Sequence, residues 1–97
     1  MNELAIADNC LRISGELQSN SVPSLLRQGE AIISQHAELT IDLQAVTNSD
    51  SSGLALLLAW QRFANSREYK LHFVNLPEQL LNNARVSGVA DLLNGNS

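Results

Sequence analysis

Along the first fourteen residues apolar and polar positions alternate in two short runs, Leu4 to Ala7 and Cys10 to Ser14, separated by Asp8-Asn9. Asp-Asn suits a two-residue hairpin loop, so two antiparallel strands are predicted. Beyond Ser21 the period changes. Val22, Leu25, Leu26, Gly29, Ile32 and Ile33 recur at helical spacing, with Pro23 in the first turn, which predicts an amphipathic helix ending near His36. Alternation returns where Leu39, Ile41 and Leu43 interleave with Thr40 and Asp42, the mark of a strand. The polar stretch "QAVTNSD" reads as a loop leading into a helix from about Ser51 to Ser66. "KLHFVNL" is the next strand. Asn75 is placed to cap a helix opened by Pro77 and Glu78 and running to about Val86, and Gly88 interrupts it before a final short turn, "VADLL". The order β-β-α-β-α-β-α predicts one α/β domain over residues 1–97, a mixed four-stranded sheet covered by helices. Its core should be shared by Leu39, Ile41, Leu57, Trp60, Leu71 and Phe73.

Composition narrows the function more than the fold. With 44% hydrophobic and 16% charged residues in 97, the chain has the make-up of a globular domain. Net charge is −4, and the six basic residues (Arg12, Arg27, Arg62, Arg67, Lys70, Arg85) are scattered, which argues against a nucleic-acid partner that needs a basic patch. The longest apolar run, Leu54 to Trp60, is far short of the roughly 20 residues of a membrane span, so no direct membrane insertion is expected. A single cysteine, Cys10, and no basic-then-apolar leader point to a reducing cytoplasmic setting. Cys10 itself reads as a small buried hydrophobe in a strand. His36 and His72 lie in different elements with no carboxylate or cysteine at ligand spacing, so neither a metal site nor a cofactor is expected. No phosphate loop, dinucleotide fingerprint or nucleophile elbow occurs, which argues against an enzyme.

The stretch "NSDSSGLALLLAW", Asn48 to Trp60, sets the chain's most hydrophilic cluster against its most apolar helix. Asp50, Ser51 and Ser52 are residue types that satisfy the free N–H groups of a helix start. Capping does not explain Gly53, which costs about 1 kcal/mol relative to Ala inside a helix and more often marks close approach by another backbone or a partner. At about 100° per residue, Leu57, Trp60 and Ala64 form one stripe flanked by Leu56 and Phe63, the expected core side. Ser51, Leu54, Ala55, Leu58 and Arg62 form the opposite face. That face should look toward water while displaying two leucines, and an apolar patch with a polar rim marks an interaction site. The competing expectation is that Leu54 and Leu58 tuck under the preceding loop.

"ISGEL", "IDLQAVTNSDSSGLALLL" and "LPEQLLNNARVSGVADLL" together resemble a STAS domain, the fold shared by bacterial anti-sigma factor antagonists and sulfate transporter tails. Within that family "GLALLL", joined to "IDL" and Asp50 at this spacing, is most similar to the MlaB-type STAS subunits of phospholipid-transport ABC complexes. The resemblance implies a non-enzymatic subunit that binds the ABC ATPase and, through it, the permease, on the cytoplasmic side of the inner membrane. It also implies roles for two serines. In the antagonists the serine directly before the glycine is phosphorylated, here Ser52; in MlaB-type chains the hydroxyl residue after the acid matters, here Ser51. Having serine in both places departs from the MlaB-type pattern, usually threonine then glycine, and keeps open a phospho-regulated anti-sigma antagonist with Ser52 as phosphoacceptor.

Overall fold

The computed structural model describes residues 2–89 and residue 93. Strands β1 (Glu3–Ala7) and β2 (Cys10–Leu17) form the expected hairpin, closed by Ala7 opposite Cys10. Asp8 and Asn9 both take positive φ, 53° and 62°, as a two-residue turn matching strand twist requires. Helix α1 (Val22–Ile33) follows, then β3 (Glu38–Asp42), β4 (Val46–Ser49), α2 (Ser51–Ser66), β5 (Lys70–Val74) and α3 (Glu78–Val86). One sheet runs β1-β2-β3-β5, with β1 antiparallel to β2 and the remaining pairs parallel.

Among the described residues the strand count is five, not four. The missed element is β4, inside the polar "QAVTNSD" stretch, whose Val46, Asn48 and Ser49 pair with Gly15, Glu16 and Leu17 of β2. Hydrophobic alternation could not reveal it, because four residues with a single buried side chain carry no pattern. β2 serves both neighbours in sequence. Its first residues pair with β3, the register shifts between Gly15 and Glu16, Gly15 adopts φ 91°, and the remainder pairs with β4. Such an irregularity bends a strand and redirects the residues beyond it.

Alternate residues of the central strands, Leu11, Ile13, Leu39, Ile41, Leu71 and Phe73, are buried in a single cluster with Leu57 and Trp60. All six expected core residues lie in it. α1 presents Leu25, Gly29 and Ile33 to the core, and α2 presents Leu56, Leu57, Trp60 and Ala64. Trp60 is fully buried, and its indole N–H donates to the Leu26 carbonyl at 3.2 Å across the α1–α2 contact. A Cβ on Gly29 would overlap the Trp60 ring. The absent side chain is therefore the seat of the indole, and Gly29 contributes to the stripe by what it lacks.

Three smaller expectations change. Asn75 does not cap α3: Pro77 holds the cap position, and Asn75 sits at φ 57° with its amide turned back to β3. Cys10 is half-buried rather than buried. The final turn, 89–93, lies largely outside the described residues, although Leu93 is helical and fully buried.

Trp60→Ala should cost about 3–5 kcal/mol in chemical denaturation; a loss below about 1 kcal/mol would place the ring outside the core. Gly29→Ala should destabilise by about 1–3 kcal/mol through overpacking, and by clearly less when Trp60 is also replaced by Leu. A double-mutant cycle reads this coupling.

Candidate functional site

The site is built where β4 ends and α2 begins. Asp50, extended at φ −104° and ψ −170°, donates its own N–H to the Leu17 carbonyl, continuing the β2–β4 ladder by one bond. Its carboxylate then accepts the Ser52 N–H at 2.8 Å. Asp50 is the helix cap, a contact that typically stabilises by about 1 kcal/mol and also places a negative charge at the positive end of the helix dipole. Ser51 is exposed and Ser52 half-buried. Among the described residues neither hydroxyl has a hydrogen-bond partner within the chain, so both are available from outside.

Gly53 is explained by the fold itself. A Cβ there would collide with the Ser49 hydroxyl and crowd Leu17 Cβ (3.2 Å) and Leu80 Cδ2 (3.3 Å). The close approach anticipated at this glycine is thus made by β4, β2 and α3, and needs no partner. Ser49, itself buried, donates its hydroxyl to the Asp50 carbonyl, while its N–H is shared between the Asn48 side-chain oxygen at 2.9 Å and Gln79 of α3 at 3.3 Å. Sequence reasoning missed Gln79, since a glutamine in the first turn of a helix gives no sign of where it reaches.

The outer face of α2 needs correction at one position. Ser51, Ala55 and Arg62 are exposed as expected, and Leu58 is half-buried, but Leu54 is only 8% exposed and belongs to the core cluster. On the helical wheel Leu54 lies only about 60° from Leu57, at the border between the outer face and the core stripe, and burial extends across that border on a helix packed by α1, α3 and the sheet. The face that meets water therefore runs Ser51, Ala55, Leu58, Arg62, with Gln61 and Asn65 beside it.

A second polar cluster, also unanticipated, fixes the position of α3. Asp42, at the end of β3 and buried, accepts from the Asn75 amide at 3.0 Å, the Gln44 N–H at 2.9 Å and the Arg12 guanidinium at 3.4 Å. The Asn75 amide above all, then the Gln44 N–H, holds its carboxyl below the ordinary carboxylate value; burial works the other way and Arg12 adds to the lowering. By tying the exit of β5 to the end of β3, Asp42 sets the line on which Pro77, Gln79 and Leu80 approach the start of α2. Glu38 and His72 form a second contact between the same strands, 3.3 Å apart.

With this geometry in place, comparison with known proteins is informative. Residues 2–94 match the family model described as "Mlab, STAS domain". The chain belongs to the STAS family. Solved structures share the fold: the anti-sigma factor antagonist SpoIIAA in its unphosphorylated form (18% identity, TM-score 0.75, covering 95% of this chain and 84% of that one), and an anti-sigma factor antagonist from Mycobacterium paratuberculosis (22%, 0.72, 94% and 80%). The Bacillus cell fate determinant SpoIIAA in its phosphorylated form is similar too (18%, 0.71, 95% and 87%). A search of curated proteins found no match.

Gly53→Ala should lower stability by about 1–3 kcal/mol, the overpacking exceeding the roughly 1 kcal/mol that alanine otherwise gains over glycine in a helix. A stabilised variant in urea titration would contradict the packing account. For Asp42 the sign follows from a lowered folded-state value. Its contribution is full above the unfolded value of 3.8 and is lost as pH falls through the lower folded value. Asp42→Asn should therefore be less stable than wild type at neutral pH and show a flatter loss of stability below about pH 4.

Proposed function

We propose that this protein is a non-enzymatic STAS subunit that docks through the start and outer face of α2 onto the ATPase of an Mla-type ABC phospholipid transporter. By binding the assembled form of the ATPase it stabilises that form, since a ligand preferring one state shifts the population toward it. Its place is cytoplasmic, held at the inner membrane through the permease, and its contribution is to the lipid asymmetry that such a transporter maintains. The observation that carries this reading is the match to the Mlab STAS family model over residues 2–94. The exposed line of Ser51, Ala55 and Arg62 beside half-buried Leu58 supplies a docking face consistent with it.

The likeness to the anti-sigma factor antagonists favours a second reading. There Ser52, the serine directly before Gly53, is the phosphoacceptor of a kinase. Phosphate would add nearly two negative charges beside Asp50, and both would bear on any partner surface that is acidic or apolar. An ABC ATPase and permease encoded beside this chain speaks for the transporter; a serine kinase and sigma factor speaks for the switch.

The two readings assign importance to different serines. For the transporter subunit, Ser51→Glu and Leu58→Asp should each weaken ATPase binding by a hundredfold or more, of the order expected when an unpaired charge enters a desolvated contact. Ser52→Ala should be nearly silent. Titration of the folded variants, checked by circular dichroism, measures this. Loss of binding by Ser52→Asp alone, with the other two intact, would favour the phospho-switch.

A further inference from the structure

α2 carries a charge pattern unlike the rest of the molecule. The chain has ten acidic residues against six basic ones, yet Ser51–Ser66 holds no acid, and Arg62 is its one charged residue. Arg62 is exposed and makes no ion pair or hydrogen bond among the described residues. It borders a groove of about 190 Å³ lined by Leu58, Gln61, Arg62, Asn65 and Val89. The wall opposite α2 is fixed, because the Val89 N–H donates to the Ala84 carbonyl at 2.9 Å and pins the residue to the end of α3. Gln61 Oε1 is shut off from solvent without a hydrogen-bond partner. Native structures seldom leave a buried acceptor in this condition.

We propose that this groove receives an acidic, apolar-tipped segment of a partner protein. Its aliphatic side chain packs between Leu58 and Val89, a neighbouring Asp or Glu meets Arg62, and a donor from the same segment pairs with Gln61 once that amide turns into the groove. The proposal rests on the reading of α2 as the docking helix and adds the chemistry of what docks. Charge selects this occupant over an anionic lipid surface, which needs a cluster of basic residues where the groove has one. Arg62 with an unpaired amide beside it is matched instead by a carboxylate flanked by a donor.

Photo-crosslinking in the native host tests this, with Asn65→p-benzoylphenylalanine at the groove rim or Ser51→p-benzoylphenylalanine at the helix start of the full chain. Cross-linked peptides are sequenced by mass spectrometry. The expected Asn65 product is a partner segment bearing Asp or Glu next to Leu, Ile, Val or Met. Arg62→Glu, an exposed change that leaves the fold intact by circular dichroism, should reduce its yield by about tenfold or more, and Lys at the partner's acid should restore it. If the segment belongs to an ABC ATPase, both readings stand; if it belongs to another protein, the groove stands and the transporter falls. Cross-links from Asn65 to lipid, to a second copy or to a basic or uncharged segment overturn the proposal, as does silence at Asn65. Capture of the ATPase from Ser51 alone would then preserve docking at α2 without the groove.

Discussion

The seating of Trp60 against Gly29 is the contact on which the helical layer depends. A tryptophan on one helix facing a glycine on the next lets the two backbones approach while the indole fills the space between them. The hydrogen bond to Leu26 fixes the ring's rotation, since an indole N–H buried without a partner would be costly. With Trp60 fixed, the azimuth of α2 is fixed, and so is the identity of the residues left on its outer side. The outer face of α2 is in this sense a by-product of the core.

A second constraint acts along the helix axis. The start of α2 is held by Asp50 on Leu17, by Ser49 on Gln79 and by the missing side chain of Gly53, which together lock strand, helix and neighbouring helix at one point. α3 reaches that point because Asp42 and Asn75 define how β5 is left. Ser51 and Ser52 therefore sit at a junction that joins strand, helix and neighbouring helix.

Where apolar residues repeat over several turns or alternations, the sequence was sufficient. The hairpin, both long helices and the core from Leu39 to Phe73 are legible from period alone, because burial of one face is what those elements exist to achieve. β4 was illegible for the opposite reason: its place is set by backbone pairing with β2, which leaves no side-chain signature. Leu54 was misplaced because it sits at the border of the two faces, about 60° from Leu57, and α2 is covered by α1 and α3 as well as by the sheet. Asn75 has the composition of a helix cap but uses its amide over a sequence distance of 33 residues, and nothing local distinguishes the two uses. The serines were singled out by type and position; whether a hydroxyl there matters depends on a second molecule.

The bend in β2 has a consequence for how the chain reaches this structure. A strand that takes three partners in turn joins one local pairing to two distant ones. The β1–β2 hairpin closes over a two-residue turn, an event on the order of microseconds. Its pairings with β3 and β4 must first close loops that contain α1, at an entropic cost the hairpin never meets. Assembly is thus ordered in time around one strand, with the hairpin as the template on which the parallel half of the sheet condenses. Gly15 is the position at which β2 passes from its pairing with β3 to its pairing with β4, so both long-range closures converge on one strand already placed by a local hairpin.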